Sequence, residues 1–216
     1  FHQVVTPKHR MVRKSAVTGN VEIEEAEDFE FGRGAADQHW SGIASGYGNG
    51  AAVELSAWER FLVAAQADGS LSDRYDGSRV DTVPVMFSFS RQRKIDRLLS
   101  ICRDAGLTCR EMAPQAERGA VAAKRKFRVD VPAAVKSSIK SFNWVDLANV
   151  GESWGRDFLN EIVQWDGHWT KNTGILNTTD EAVANIVQAV ASLSGARSHL
   201  RRIPDDRKET FWDIYR

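Results

Sequence analysis

The chain has 216 residues, with 29 Lys and Arg balanced by 29 Asp and Glu and a hydrophobic content of 42%. This is ordinary for a soluble globular protein of one sizeable domain and a smaller one. No apolar run approaches a membrane span and no signal peptide is visible, which excludes a membrane partner; Cys102 and Cys109 match no zinc or redox spacing and read as reduced thiols of an intracellular protein.

Residues 1–33 read as short strands and turns. Val4-Val5 precedes a Thr6-Pro7 turn, Met11-Val12 resumes an apolar run, and Thr18-Gly19-Asn20 separates it from Val21–Ile23. Six acids between Glu22 and Glu30 suit a solvated strand edge or a short helix. Residues 34–52, rich in Gly, Ser and Ala, have a linker's composition and lack the Gly-Lys-Ser/Thr ending of a phosphate loop.

Helical spacing begins at Leu55 and runs to Ala67, with Trp58, Phe61, Leu62 and Ala65 on one stripe and Ser56 or Glu54 near its start. Val83–Ser90 alternates as a strand. Gln92–Ala105 predicts a helix with Ile95, Leu98, Leu99 and Cys102 inward, closed by Gly106. Leu107–Cys109 and Phe127–Val131 predict further strands, and Trp144–Leu147 a short turn or helix. A third helix runs from Trp154 to Trp165, and a fourth over Glu181–Leu193, for which Thr178 and Glu181 are placed as a capping box.

The pattern repeats. A helix ending in Asp68-Gly69 returns 98 residues later as a helix ending in Asp166-Gly167, and the Gly106 that closes the next helix returns as Gly195 after 89. About nine extra residues therefore lie in the first half, around Tyr75–Val83. A carboxylate at a helix C-terminus is at the electrostatically unfavourable end. Either both Asp-Gly pairs are mere helix-ending turns, or two helices with small residues at Ala64, Ala65 and Ala67 pack closely and bring both carboxylates to one edge. Carboxylates so placed would repel unless they hold a divalent metal, which could activate water and stabilise the leaving oxygen of a phosphodiester.

Charge is unevenly spread, and zero net charge alone argues against nucleic-acid binding. Residues 91–140 carry 13 Lys and Arg against five acids, a local balance of +8 that the remainder offsets with −8. This is either a solvated face or the source of a positive field. Lys124-Arg125-Lys126-Phe127-Arg128 alternates charge with an aromatic, as a β-ribbon on DNA would. Arg91, Arg93 and Lys94 add to this patch, and Arg197, Arg201, Arg202 and Arg207 would serve the second half, many of them on phosphates rather than bases.

The two Asp-Gly helices resemble the dodecapeptide motifs of the LAGLIDADG homing endonucleases in their two-motif, single-chain form, over roughly residues 55–216. That resemblance implies an α+β fold of two αββαββα-like halves related by an internal pseudo-two-fold axis, with antiparallel sheets forming a saddle on double-stranded DNA. It implies Asp68 and Asp166 as Mg²⁺ ligands, with the Gly69 and Gly167 backbones beside them. Intein members of the family place a catalytic Lys about two dozen residues before the second acid; Lys140 has that spacing, and a surface Lys is the alternative. Glu161, Gln164 and Trp165 depart from the small apolar residues usual at the helix contact.

Thr6-Pro7-Lys8-His9 resembles the Thr-x-x-His block of inteins and related Hint domains, in which Thr and His polarise the splice-site peptide bond. Taken alone, the motif is also a common turn with a surface His. The intein nucleophile block and terminal His-Asn block are missing, so the chain alone is not expected to splice. It opens on Phe1 rather than Met and reads as a fragment or processed product. The expected organisation is thus a partial all-β Hint region at 1–33, a linker at 34–52 and a monomeric endonuclease at 53–216, divided into 53–140 and 141–216. Its expected setting is the cytoplasm or nucleoid, with a phage origin as one option. The rivals are a fragment of a splicing intein with a degenerate endonuclease, acting with a complementary intein segment, and a repressor- or maturase-like DNA binder that does not cut.

Overall fold

The computed structural model describes residues 10–15, 21–25, 40–42, 54–71, 81–113, 124–170, 173–196, 198–204 and 210–215. The chain divides into two compact units, Phe1–Ser45 and Gly46–Arg216, a division that falls inside the expected linker.

The first unit holds a three-stranded antiparallel sheet of β1 (Arg10–Ser15), β2 (Val21–Glu25) and β3 (Trp40–Gly42), in the order β2-β1-β3. Met11 stands opposite Glu24, and Arg13 lies between Glu22 and Gly42. The acidic run from Glu22 thus begins as a strand. The expected linker contributes β3, a strand that its glycine-rich composition concealed.

The second unit begins with α1 (Ala57–Asp68), β4 (Ser70–Leu71), β5 (Thr82–Phe89), α2 (Gln92–Asp104), β6 (Cys109–Glu111) and β7 (Arg125–Pro132). After two short 3₁₀ turns, Ala133–Ser138 and Leu147–Asn149, the same order returns as α3 (Glu152–Trp165), β8 (Gly167–Thr170), β9 (Thr173–Thr178), α4 (Glu181–Leu193), β10 (His199–Pro204) and β11 (Thr210–Tyr215). Strand order repeats with it: β4-β5-β7-β6 in one sheet and β8-β9-β11-β10 in the other, all pairs antiparallel. The connection between Leu71 and Thr82 is longer than that between Thr170 and Thr173, which is where the extra first-half residues reside.

Local chemistry accounts for the helix ends. Ser56 caps α1: its hydroxyl accepts from Glu59 N, and the Glu59 carboxylate accepts from Ser56 N at 2.8 Å, a closed capping box. The predicted box at α4 does not form. Asp180 takes the cap instead, accepting from Ala182 N and Val183 N, while Thr178 Oγ1 accepts from Asp180 N. Gly106 and Gly195 adopt left-handed φ of 68° and 71°, and the next residue donates back five positions in both cases, Leu107 N to Cys102 O and Ala196 N to Ala191 O.

One core joins the two halves through α1, which packs on both α2 and α3. Sheet alternation sends Val83, Val85, Phe87 and Phe89 inward from β5, and Phe127, Val129 and Val131 inward from β7. On α2 the inward stripe is Ile95, Leu98, Ile101 and Cys102; Leu99, expected inside, is an exposed residue because the helix presents Ile101 in its place. Trp165 does not obstruct the helix contact. It is buried, 5.9 Å from the Phe89 ring, and its indole N–H donates to Glu161. Among the described residues, no helix is long and apolar enough to cross a membrane.

Candidate active site

Asp68 is the last residue of α1 and Asp166 the C-cap of α3. The glycines that follow are required by space, not by a left-handed turn, since Gly69 has φ −78° and ψ 155°. A Cβ on Gly69 would come within 2.6 Å of Ala65 O, and one on Gly167 within 2.7 Å of both Val163 Cα and Ile175 O. Each chain leaves its helix by passing directly over the residue four positions back. That exit turns the two acids onto the edge where α1 and α3 end.

Three cations converge there. Lys94 Nζ lies 2.5 Å from Asp68 Oδ2. Lys140 Nζ donates to carbonyls of the last turn of α1, Gln66 O at 2.6 Å and Ala67 O at 3.1 Å. Arg93 Nη1 donates to Gln164 O at the end of α3, at 2.7 Å. Lys140 is placed by a backbone φ of 67°, a positive value adopted by no other non-glycine among the described residues. Such a conformation costs about 1–3 kcal/mol and is held only by its surroundings.

Asp166 is exposed as a residue, yet its carboxyl shares a small pocket with Phe142, Ile162, Leu176 and Val183. Burial against that wall, then the negative charge of Asp68, raise its pKa above the ordinary carboxylate value; Lys94 and Lys140 pull in the other direction. Burial lowers the Lys140 pKa, opposed by Asp166 and Asp68. The four groups therefore form one electrostatic cluster.

Two neighbouring carboxylates, one of them destabilised by the other, are a hard-oxygen donor set that fits a divalent cation such as Mg²⁺. Among the described residues there is no group of three or more His, Cys, Asp or Glu placed to hold a metal. Further ligands would have to be backbone, water or phosphate oxygens. The Gly69 N–H is already committed to Ala65 O, so it is the carbonyl sides of Gly69 and Gly167 that are of interest.

The expected DNA-contacting residues divide in three. Lys124 and Arg91 are exposed, and Lys126 and Arg128 stand on the face of the first sheet opposite the core. Arg93 and Lys94 turn to the site edge, and Arg125 forms a bidentate pair with Glu111 at 2.6 and 2.8 Å. Arg201 and Arg202 lie on β10, opposite Asp213 and Trp212 on β11. Thr6, His9 and Arg197 lie outside the described residues.

Sequence reasoning missed Arg110. It is exposed on β6 directly opposite Arg128 of β7, and Met86 of β5 continues the row. Directly opposed like charges destabilise a sheet. Asp130 offsets part of this by accepting twice from Arg128, at 2.9 and 2.7 Å. Alternation from Phe127 would have found Arg128, but only the strand register finds its partner.

No protein-family model matches the chain. The ribonucleoside-diphosphate reductase subunit beta of Aquifex aeolicus (strain VF5) is 26% identical over 193 residues, covering 86% of this chain and 26% of that protein. The chain thus spans about a quarter of the length of the curated relative it matches. Among solved structures, I-DmoI in complex with DNA and Ca superposes with a TM-score of 0.51 at 14% identity, covering 76% of this chain and 85% of that one. A single-substitution variant of I-DmoI, in complex with its target DNA in the presence of Mg, gives 0.50 at 15% identity, covering 75% and 88%. Repeated helix-strand-strand order, antiparallel four-stranded sheets and this superposition agree: the chain has the LAGLIDADG fold seen in I-DmoI.

Proposed function

We propose that residues 53–216 form a site-specific, metal-dependent endonuclease for double-stranded DNA, a homing endonuclease working as a monomer with an internal pseudo-two-fold axis. The observation that carries this reading is the convergence of Asp68 and Asp166 at the paired ends of α1 and α3, beside Lys94 and Lys140. The fold is shared with I-DmoI, whose structures include a complex with DNA and Ca and a variant in complex with its target DNA in the presence of Mg.

In this reading the Asp68 and Asp166 carboxylates hold a divalent cation, with oxygens of Gly69 and Gly167 alongside. When bound, that cation supplies Lewis-acid stabilisation of the scissile phosphate and an acidified water. Lys140 holds a proton at Nζ beside both acids, where it stabilises charge developing on the phosphate and can protonate the departing sugar oxygen. Arg110, Lys126 and Arg128 place the backbone of one DNA half-site, and the strands of the second sheet that carry Arg201 and Arg202 serve the other.

Intein carriage is part of the same proposal: residues 1–33 as a partial Hint region with Thr6 and His9 as splicing-assist residues, 34–52 as linker, and an intracellular setting. What supports it is the Thr6-Pro7-Lys8-His9 pattern ahead of the two Asp-Gly helices. Adding a separately expressed segment that carries the missing Hint blocks should yield a ligated product if this part is right.

The endonuclease is tested on a randomised DNA library with Mg²⁺. Wild-type protein should cut a small set of related sites, and Asp68→Asn or Asp166→Asn should reduce cleavage by about a thousandfold or more while binding persists. Cleavage undiminished in the double variant would overturn the assignment. Mg²⁺-independent binding with no cutting by wild type would favour the repressor-like alternative.

A further inference from the structure

The first turns of α2 and α4 occupy equivalent places in the two halves but carry opposite charge. Both helices have 13 residues, and Gly106 and Gly195 set an offset of 89 that brings Lys94 into register with Val183. Arg91-Gln92-Arg93-Lys94 therefore corresponds to Asp180-Glu181-Ala182-Val183. The α4 sequence obeys helix electrostatics, with acids at the positive N-terminus, whereas α2 violates it.

The violation has a local cause. Asp68 is at the unfavourable end of α1, and Lys94 is at the unfavourable end of α2. Their contact sets each charge beside the favourable end of the other helix. The Lys94 side chain is only 13% exposed and that of Asp68 23%, so water screens the pair weakly. In the second half, Val183 lines the pocket beside Asp166 and no lysine stands in that place. Lys94 thus serves both carboxylates, with Lys140 as the second ammonium of the cluster.

We infer that Lys94 is a built-in counter-cation, a positioning residue that holds Asp68 in the metal-free protein and must give it up when a divalent cation arrives. Asp166 offers its oxygens to the cation first, and Asp68 completes the set by exchanging one cation for another. This rests on the reading of Asp68 and Asp166 as metal ligands. Lys94 then lowers metal affinity in return for keeping two like charges together in its absence.

The test is cation binding by full-length protein without DNA, followed with Tb³⁺ luminescence excited through tryptophan and with Ca²⁺ competition. Lys94→Met should bind about tenfold more tightly than wild type, as expected for removal of one nearby positive charge. Lys94→Gln, which keeps a hydrogen bond to Asp68, should shift affinity in the same direction and covers loss of folding in the first variant. Lys94→Arg should remain near wild type. Unchanged or weaker binding in both neutral variants, with binding abolished by Asp166→Asn, would overturn the role of Lys94 and leave the metal site standing. Binding that survives both Asp68→Asn and Asp166→Asn would instead overturn the metal site, and the inference with it.

Discussion

Arg97 and Glu161 meet through two parallel hydrogen bonds, Nε to Oε1 at 2.8 Å and Nη2 to Oε2 at 2.5 Å, and the Glu161 side chain has no exposed surface. Arg60 Nη1 and Trp165 Nε1 also donate to it, at 3.0 and 2.8 Å. A carboxylate where α1, α2 and α3 converge is therefore fully satisfied. Glu161→Ala strands the Arg97 guanidinium and the indole N–H, while Arg60 keeps Asp157 and the Leu55 carbonyl. It should cost about 3 kcal/mol, since each arginine still reaches solvent. That corresponds to a melting midpoint lowered by roughly 10 °C in a calorimetric scan.

Asp166→Asn should stabilise the metal-free protein while abolishing the proposed cleavage. Folding raises the Asp166 pKa, so between its unfolded and folded values the folded chain holds a proton that the unfolded chain has released. Stability therefore falls as pH rises through that window, and the penalty is complete above it. In EDTA, the midpoint of Asp166→Asn should exceed wild type at neutral pH and converge on it below the ordinary carboxylate range. A variant less stable at neutral pH would contradict this.

The two kinds of glycine should respond differently to substitution. Alanine at Gly167 meets backbone atoms of Val163 and Ile175, which cannot swing away, so about 1–3 kcal/mol should be lost. Nothing lies within 4 Å of a Cβ at Gly106, where only the left-handed φ resists. There alanine should cost about 1 kcal/mol and asparagine less. Urea midpoints of Gly106→Asn and Gly167→Asn, compared side by side, distinguish the two causes.

Thiol labelling should discriminate between the two cysteines. Cys102 is buried on α2, and its hydrogen bond with Cys109, together with burial, drives its pKa far up, whereas the same hydrogen bond lowers that of Cys109. Iodoacetamide on native protein should modify Cys109 alone, at a pH below the ordinary thiol value, and peptide mass mapping reads the position.

Much of this architecture was legible because it repeats. Glu181–Leu193 coincides with α4, and the Asp-Gly and Gly106/Gly195 marks located both halves, since a close chain crossing and a left-handed cap each demand a particular residue. Contacts between elements distant in sequence were not legible. Nothing local says that Arg97 on one helix satisfies Glu161 on another, or that Lys94 faces an acid across the site rather than DNA. Trp165 departs in bulk from the small residues expected at the helix contact, and nothing local shows that its indole N–H is accepted by Glu161, one turn earlier on the same helix. Val183 carries no signal of its own in the sequence. Its meaning appears only when α2 and α4 are superposed.

Glu59 closes the N-terminal box of α1 and also accepts from Trp154 Nε1 at 3.1 Å, 95 residues away. The neighbouring ties, Arg60 to Asp157 and to Glu161, span 97 and 101 residues. The helix that opens the first half is thus completed by side chains made 95 to 101 residues later on the ribosome. Closing loops of that length is entropically slow, so the first half should wait, incompletely consolidated, until the second is available. Refolding monitored by Trp154 should then lag behind helix formation, and an allele truncated after the first half should yield a chain lacking a settled α1.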